Sequence, residues 1–478
     1  MVTLFESKYK DLFKIIGQTA DTLGYECYVI GGYVRDFFLG KENDDLDFVV
    51  VGNGIAMAKA VAQVLNAKKF DYYESYGTAK VTYNNIDLEF VGARKEFYHR
   101  ESRNPIVEDG TLKDDMDRRD LTINDMAFCI NASRFGELID PYNGLEDLQN
   151  KRIITPLDPN ITFSDDPLRM LRAIRFAARF DFTISDNTFK AICDNKDRLS
   201  IITKERITEE LRKMISGNNP VVALELLHSS GILKIVLPEV AALSGVTRKG
   251  IKQVGHKDIF KHSLEVLNTV AQQTPDEWIR WAALLHDIGK HIVKKWVPDN
   301  NGNGIWTFYD HAAAGVTIVE KIFKRLGLPT DARMELVKKL VNFHMHPTNL
   351  CNETVTDSAV RRLLFNLGED IDKLMIICNA DITTGNACKK KAFRDNYELL
   401  KQRMVQIEES DKLRNFKMAF NGDDICELFN LTPSKEVGIL KGKLKDAILD
   451  GIIPNTKEAS KQYLLDITLN NKKTWIYQ

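Results

Sequence analysis

Residues 30–52 read IGGYVRDFFLGKENDDLDFVVVG, a string in which a glycine pair, a charged pair and a D-x-D follow one another at close spacing. Gly31 and Gly32 lie between an apolar run, Cys27–Ile30, predicted to be a strand, and a short amphipathic run with Arg35 and Asp36, predicted to be a helix. A glycine pair lets the backbone approach a phosphate, a helix N-terminus adds amide donors and a favourable dipole, and Gly31, Gly32 and Arg35 are expected to sit at a triphosphate. Asp45 and Asp47 enter the apolar strand Phe48–Val51; two residues apart, their carboxylates point to one face. Hard oxygen ligands on one face suit Mg²⁺, which completes its six-coordinate shell with water and substrate phosphate. Two such ions activate a hydroxyl and stabilise a leaving pyrophosphate. An exposed acidic turn ahead of a core strand would also hold a D-x-D, but would need neither the glycine pair nor the arginine.

The pattern GG-x-VRD-xx-LG-x(4)-D-x-D resembles the head of class II tRNA nucleotidyltransferases and bacterial poly(A) polymerases, members of the polymerase β superfamily. The likeness continues to about Leu243. It implies a mixed α/β polymerase β-like head, Mg²⁺ as cofactor, CTP and ATP as substrates, and tRNA as partner.

At 478 residues the chain is too long for one ordinary core and is expected to form three or four domains. Hydrophobic residues at 44% with 28% charged are those of a folded globular protein and exclude wholesale disorder. No apolar run approaches a membrane span, and MVTLFESKYKDLFK reads as an amphipathic helix, not a signal peptide, so a cytoplasmic protein is expected. Cys27, Cys129, Cys193, Cys351, Cys378, Cys388 and Cys426 stand singly, which points to reduced thiols and away from a zinc ribbon or disulfide framework. With a net charge of −1, affinity for nucleic acid must come from local basic patches.

Further along the head, Ile55–Leu65 reads as a helix, and Ala79–Tyr83 and Ile86–Val91 as strands. Ile86–Val91 alternates, so Asp87 and Glu89 share a face, and either is a candidate third carboxylate beside Asp45 and Asp47. In the resembling family the third acid precedes an arginine by five residues, which selects Glu89, with Arg94 as that arginine. Gly92 to Met116, with Arg100, Arg103, Asn104 and Pro105, is polar without a clear period and reads as a mobile loop. The resemblance makes it the loop needed for terminal adenosine addition. Asp117–Ala127 reads DRRDLTINDMA; paired arginines suit a triphosphate, and the family's RRD-x-TIN-x-MA motif implies nucleotide contacts from Arg118 and Asp120. Asp140–Leu148 is a turn entering a helix, with a structural role.

From Asp165 the chain reads DDPLRMLRAIRFAARF, one helix expected to be capped by Asp165 or Asp166, with Arg169, Arg172, Arg175 and Arg179 on one stripe. Such a face is commonly solvated. The family's ED-xx-R motif falls here and implies that Asp166 and Arg169, with Arg172, read the base edge, a carboxylate accepting and a guanidinium donating. Asp165 stands where the family has Glu. Glu205 and Arg206, in a match to the family's ERI-xx-EL helix, are expected to be structural.

A second chemistry begins at His262. Trp281–Lys290 is an apolar helix that ends in His286 and Asp287, and burying both beside Leu284, Leu285 and Ile288 requires partners. Metal ligation supplies them. The order His262, His286, Asp287, His311, His344, Asp381 resembles the HD superfamily of metal-dependent phosphohydrolases. That resemblance makes His262, His286, Asp287 and Asp381 core ligands and His311 and His344 the additional ones of two-metal members. Imidazole with carboxylate suits Mn²⁺, Ni²⁺, Co²⁺ or Fe without selecting one, and Lys290 is placed to stabilise charge. His291 and His346 are read as ordinary histidines. In the tail, Lys389–Lys391 and Arg394 open an amphipathic helix, and the lysines of Gly438–Lys445 are read as a solvated face.

The fold class expected is α+β and multidomain: a head (1–155), then an all-helical neck (156–245), HD domain (250–388) and a tail (389–478) expected to bind tRNA. The activity expected is template-independent addition of CCA, or part of it, to tRNA 3′ ends, with no membrane role. The alternatives are an A-adding enzyme or poly(A) polymerase, an HD phosphohydrolase whose head only binds RNA, and a protein with both centres silent.

Overall fold

The computed structural model describes residues 4–74, 77–99, 102–246, 258–298, 304–347, 356–382, 387–411 and 417–470. Its contacts divide the chain into two units, Met1–Ala242 with Arg325–Leu328, and Leu243–Lys324 with Pro329–Gln478.

The first unit is built on a seven-stranded sheet. In chain order its elements are α1 (Lys10–Leu23), β1 (Glu26–Ile30), α2 (Gly32–Phe38), β2 (Asp45–Val51), α3 (Gly54–Val64), β3 (Lys69–Tyr73), β4 (Thr78–Tyr83) and β5 (Ile86–Gly92). There follow β6 (Arg94–His99), β7 (Ser102–Asp109), α4 (Leu112–Asp117), β8 (Ala127–Cys129), β9 (Leu138–Ile139) and α5 (Gly144–Gln149). The strand order is β3-β4-β5-β2-β1-β8-β9, and β2 and β5 run parallel while the other pairs are antiparallel.

The two faces of β2 differ in chemistry. Leu46, Phe48 and Val50 are buried on one, where Phe48 stacks on Phe90 at 4.8 Å and meets Phe13 of α1 edge to face. The other carries Asp45 and Asp47 at its start and then Val49, which joins an apolar cluster with Tyr28, Ile30, Met116 and Ala127. Strand alternation thus leaves two carboxylates where the apolar face runs out.

Three expectations are corrected. Residues 92–116 are not a loop: β6 and β7 pair as an antiparallel ribbon, followed by α4, whose N-terminus Thr111 and Asp114 close as a capping box. Arg100 and the side chains of Arg103 and Asn104 lie outside the described residues. The helix expected from Asp165 is α7 (Leu168–Phe180), but Pro167 and not Asp165 or Asp166 is its N-cap; Asp166 is extended ahead of it, and Asp165 ends a separate helix, α6 (Pro159–Asp165), capped by Asp158. The neck is not wholly helical either, since β10 (Arg152–Ile153) and β11 (Thr183–Ile184) form a parallel pair among α6, α7, α8 (Asp186–Asn195), α9 (Lys204–Ile215) and α10 (Pro220–Ser229).

The second unit is mainly helical and includes one hairpin, Lys295–Pro298 with Gly304–Thr307. Its first part packs the helices Ile259–Gln273, Glu277–Leu285, His311–Leu326, Ala332–Phe343 and Ile371–Asp381 around Trp281, Leu284, Phe323 and Val337, all fully buried. Its last part has its own apolar cluster, in which Ile425, Leu440, Leu444 and Leu464 join the helices Gly422–Phe429, Lys435–Leu449 and Lys457–Asn470. Cys351, and the side chains of Cys388, Lys389, Lys390 and Arg394, fall outside the described residues. Among the described residues no helix is long and apolar enough to cross a membrane.

Candidate active site and candidate metal centre

The parallel register of β2 and β5 sets Asp45 beside Asp87 and Asp47 beside Glu89. All four acids therefore edge one face, but they are not equivalent. Asp87 accepts from Thr82 Oγ1 at 2.8 Å and pairs with Lys80 Nζ at 2.8 Å, which holds its carboxyl below the usual range. Glu89 is 3.8 Å from the same ammonium. Asp47, between Asp45 and Glu89, is pushed up to about 6 by burial and then by those two charges, with Arg119 opposing. Three carboxylates with unbalanced charge and only oxygen donors fit hard divalent cations.

Gly31 closes the other side. It has φ +81°, which favours glycine, and a Cβ there would lie 3.7 Å from both Asp47 Oδ2 and Arg119 Nη1. Arg119 therefore stands at the acids. Arg118 points elsewhere: its Nε donates to Asp115 Oδ1 at 2.9 Å, and its Nη1 lies 3.4 Å from Glu96 on β6. Asp115, fully buried, also accepts from Arg119 Nη2 at 2.9 Å. The resemblance selects Arg118 of the pair for the nucleotide, whereas the arginine beside Gly31 and Asp47 is Arg119.

Arg35 is not open to a triphosphate. It is buried, its Nε and Nη2 donate to Asp36 at 2.8 and 2.9 Å, and its guanidinium lies 5.2 and 4.8 Å from the ring centres of Phe176 and Phe180. Those rings belong to α7, so Arg35 ties sheet to neck. Asp120 serves the same junction, accepting from Arg172 Nε at 2.6 Å; burial opposes its ionisation, but Arg172 outweighs it and holds the carboxyl below its usual range. The arginine stripe of α7 is correspondingly mostly engaged. Arg175 donates to Glu210 at 2.6 Å, Arg169 is buried with Nη1 3.5 Å from Thr162 O, and Arg179 is exposed over Phe180. Asp166 Oδ1 accepts from Leu168 N at 3.1 Å, at the head of α7.

The second unit brings all six predicted ligands together. Among the described residues, two groups each place three ligand atoms within 4.8 Å of one another: His262, His286 and Asp381, and Asp287, His311 and His344. The three head carboxylates are not held that closely. Asp287 serves both groups, with Oδ2 3.3 Å from His286 Nε2 and 3.6 Å from His262 Nε2, and Oδ1 3.4 and 3.6 Å from His311 and His344 Nε2.

Backbone geometry fixes the imidazoles. Nδ1 of His286, His311 and His344 meets the carbonyl three residues earlier, at Ala283, Phe308 and Val341, at 2.6 to 2.8 Å. Each Nδ1 therefore donates and each Nε2 turns a lone pair inward, the arrangement of metal-bound histidines. Burial lowers the His311 pKa to about 4, so this ring is neutral at pH 7. His311 and His344 then face each other Nε2 to Nε2 at 3.2 Å. Asp287 Oδ1 is buried without a hydrogen-bond partner, and its carboxyl stays ionised, held below its usual range against burial with the Lys290 ammonium beside it. Opposed lone pairs beside an orphaned anionic oxygen fit a cation between them. Gly289 permits the approach, because a Cβ there would come within 2.0 Å of His311 O.

Asp125 carried no assignment from sequence and is the conspicuous addition. It is buried with neither carboxylate oxygen hydrogen-bonded, Oδ1 lying 3.7 Å from Arg119 Nε. The sequence signal was an acid inside the apolar string Ile123–Ala127.

Three family models match the chain: the poly A polymerase head domain over residues 27–154, a probable RNA- and SrmB-binding site of polymerase A over 181–243, and the HD domain over 259–384. Solved structures of CCA-adding enzymes share the fold along nearly the whole chain. One, an apo form, is 22% identical over 96% of this chain and 95% of its own, with a TM-score of 0.64. The Thermotoga maritima CCA-adding enzyme complexed with tRNA is 22% identical over 97% and 96%, with a TM-score of 0.61. The Bacillus stearothermophilus CCA-adding enzyme in complex with CTP is 22% identical over 97% and 98%, with a TM-score of 0.63.

Proposed function

Through its head the chain belongs to the poly A polymerase head-domain family of nucleotidyltransferases, and from that premise we propose that it adds C, C and A, or part of that series, to tRNA 3′ ends without a template. The observation that carries the proposal is the register that sets Asp47 against Glu89, with Asp45 on the same face and Gly31 alongside. Asp45, Asp47 and Glu89 would hold Mg²⁺, which would supply Lewis acidity toward the phosphates. Asp45 or Asp47 takes the proton of the tRNA 3′-hydroxyl; the 3′-oxygen bonds to the α-phosphorus, and the bond to the β-phosphate oxygen breaks. Gly31 and Gly32 admit the triphosphate, with Arg119 closer to the acids than Arg118. Asp166 and Arg169 present an acceptor and donors to the base, and Arg172, held by Asp120, borders them. On this reading the protein works in the cytoplasm on tRNA, with CTP and ATP as its substrates.

The test is incorporation of CTP and ATP, singly and together with Mg²⁺, into tRNA transcripts ending before the CCA, after one C and after two. Stepwise addition that stops at CCA is expected. Addition of A to the CC-ended transcript alone would reassign the protein as an A-adding enzyme, and open-ended adenylation as a poly(A) polymerase.

A second reading concerns the other centre. The six ligands shared through Asp287 support metal-dependent hydrolysis of phosphate esters: His262, His286 and Asp381 would hold one ion and Asp287, His311 and His344 a second, of Mn²⁺, Ni²⁺, Co²⁺ or Fe, and these would supply Lewis acidity for activating water. Lys290 Nζ, 2.6 Å from Asp287 Oδ2, stands ready to offset negative charge. Metal analysis together with release of phosphate from nucleotide monoesters or opening of 2′,3′-cyclic phosphates checks it; a chain that takes up no metal would remove it.

A further inference from the structure

The second unit has an exposed aromatic feature that neither the head chemistry nor the metal ligands use. Between the turn with His286 and Asp287 and the helix that begins at His311, the hairpin pairs Trp296 with Trp306. Opposed residues share a face, and here the two indoles meet edge to face at 5.2 Å. The Lys294 ammonium lies 4.2 Å from the Trp306 ring centre. Trp296 remains 39% exposed and Tyr309 78% exposed. Large apolar rings left open in a cluster mark a contact surface.

The hairpin leads to the metal ligands. Phe308 follows Trp306 by two residues, and its carbonyl fixes His311 Nδ1 at 2.8 Å. The Lys290 ammonium is 5.8 Å from the Phe308 ring centre and 2.6 Å from Asp287 Oδ2. Rings and ammonium groups thus follow one another from the exposed indoles to the carboxylate shared by both ligand groups. Aromatic faces stack on bases of any sequence, and ammonium groups track phosphates.

We propose that this hairpin is a base-stacking platform, so that the ester taken by the His and Asp centre is a nucleoside phosphate with an unpaired base. This rests on the phosphohydrolase reading for the phosphate end of the ligand and on the hairpin alone for the base end. Charge complementarity selects the occupant, because Lys294 at Trp306 and Lys290 between Phe308 and Asp287 set ammonium groups at both ends of the way from indoles to centre, and a nucleotide is anionic along that path.

Tryptophan emission tests it cleanly. The five tryptophans are Trp278, Trp281, Trp296, Trp306 and Trp475, and the sequence of the head, residues 1–155, contains none. In the full-length Trp475→Phe protein with Mg²⁺ in the buffer, AMP is expected to quench emission saturably, and ribose 5-phosphate to leave it unchanged. Adding Trp296→Ala and Trp306→Ala is expected to weaken AMP binding about tenfold or more, with the binding followed by equilibrium dialysis and the fold by the melting curve. An equal response to ribose 5-phosphate, no response to AMP, or unchanged AMP affinity in the double variant would overturn the platform. Metal content measured on the same samples keeps the two readings apart. Base-dependent quenching in a chain that takes up no metal would sink the hydrolytic reading and leave the platform, and metal uptake without quenching would do the reverse.

Discussion

Asp125 shows how a single buried side chain makes stability depend on pH. Burial pushes its pKa up to about 8, with the nearby Arg119 only partly opposing it. Between the ordinary carboxylate range and pH 8 the folded chain holds a proton that the unfolded chain has released, so stability falls as pH rises through that window and levels off above it. Asp125→Asn keeps the shape without the charge. Its advantage over the parent is expected to grow by roughly 2 kcal/mol between pH 5 and pH 7, read as a widening gap in melting temperature, and to stop growing above pH 8. A gap independent of pH would mean that Asp125 is ionised throughout. Asp47, lifted to about 6, follows the same sign over a narrower window. Without divalent cations, Asp47→Asn is expected to be more stable than the parent at pH 7 by about 1 to 2 kcal/mol, while nucleotide incorporation falls by roughly a thousandfold or more. Gain of stability with loss of activity is the mark of a site strained for its ligand; a variant that loses both would make Asp47 structural.

At the level of elements, the junction of α7 with the head rests on a pair whose two halves are unequal. The Asp120 side chain is buried and that of Arg172 is 37% exposed. Arg172→Ala strands a buried carboxylate and is expected to cost about 3 to 5 kcal/mol, whereas Asp120→Ala leaves a guanidinium that water reaches and costs about 1 kcal/mol or less. Denaturant unfolding of the two variants decides, and equal losses would show that packing, not charge, makes the joint. Gly289→Ala drives a methyl into His311 O, so the segments of the second ligand group must part; bound metal is expected to fall from two ions per chain to one. Elements with a buried face were legible in the sequence. Residues 45–51 and 86–92 alternate because one side meets a core, and that same alternation delivered the carboxylates. The β6–β7 ribbon was not legible, since exposed Phe97, Ile106 and Val107 give it no apolar face to set a period, and Pro105 interrupts it. Arg35 and Arg118 read as phosphate ligands because a sequence shows a charge and not its partner, and here Asp36 and Asp115 take them.

Across the whole molecule the two centres differ in the ions they suit, oxygen donors in one and imidazole with carboxylate in the other, and they lie in separate units of the chain. Among the described residues, the acids of the head have no imidazole in their set, and both ligand groups at Asp287 are drawn from residues after Leu243. Independent function is therefore expected. His286→Ala removes a ligand that is fully buried and fixed by the Ala283 carbonyl, so it should lower transition-metal uptake by at least one ion per chain and abolish any phosphate release. Its rate of CTP incorporation with Mg²⁺ should stay within about twofold of the parent, the span of roughly half a kilocalorie per mole. Asp47→Asn should show the converse, full metal content with no incorporation. Both proteins are measured by metal analysis, by incorporation into a tRNA transcript lacking CCA, and by melting temperature. A tenfold loss of incorporation in His286→Ala with an unchanged melting temperature would establish coupling between the centres, because a variant that still folds has then lost transfer chemistry without losing any residue of the head.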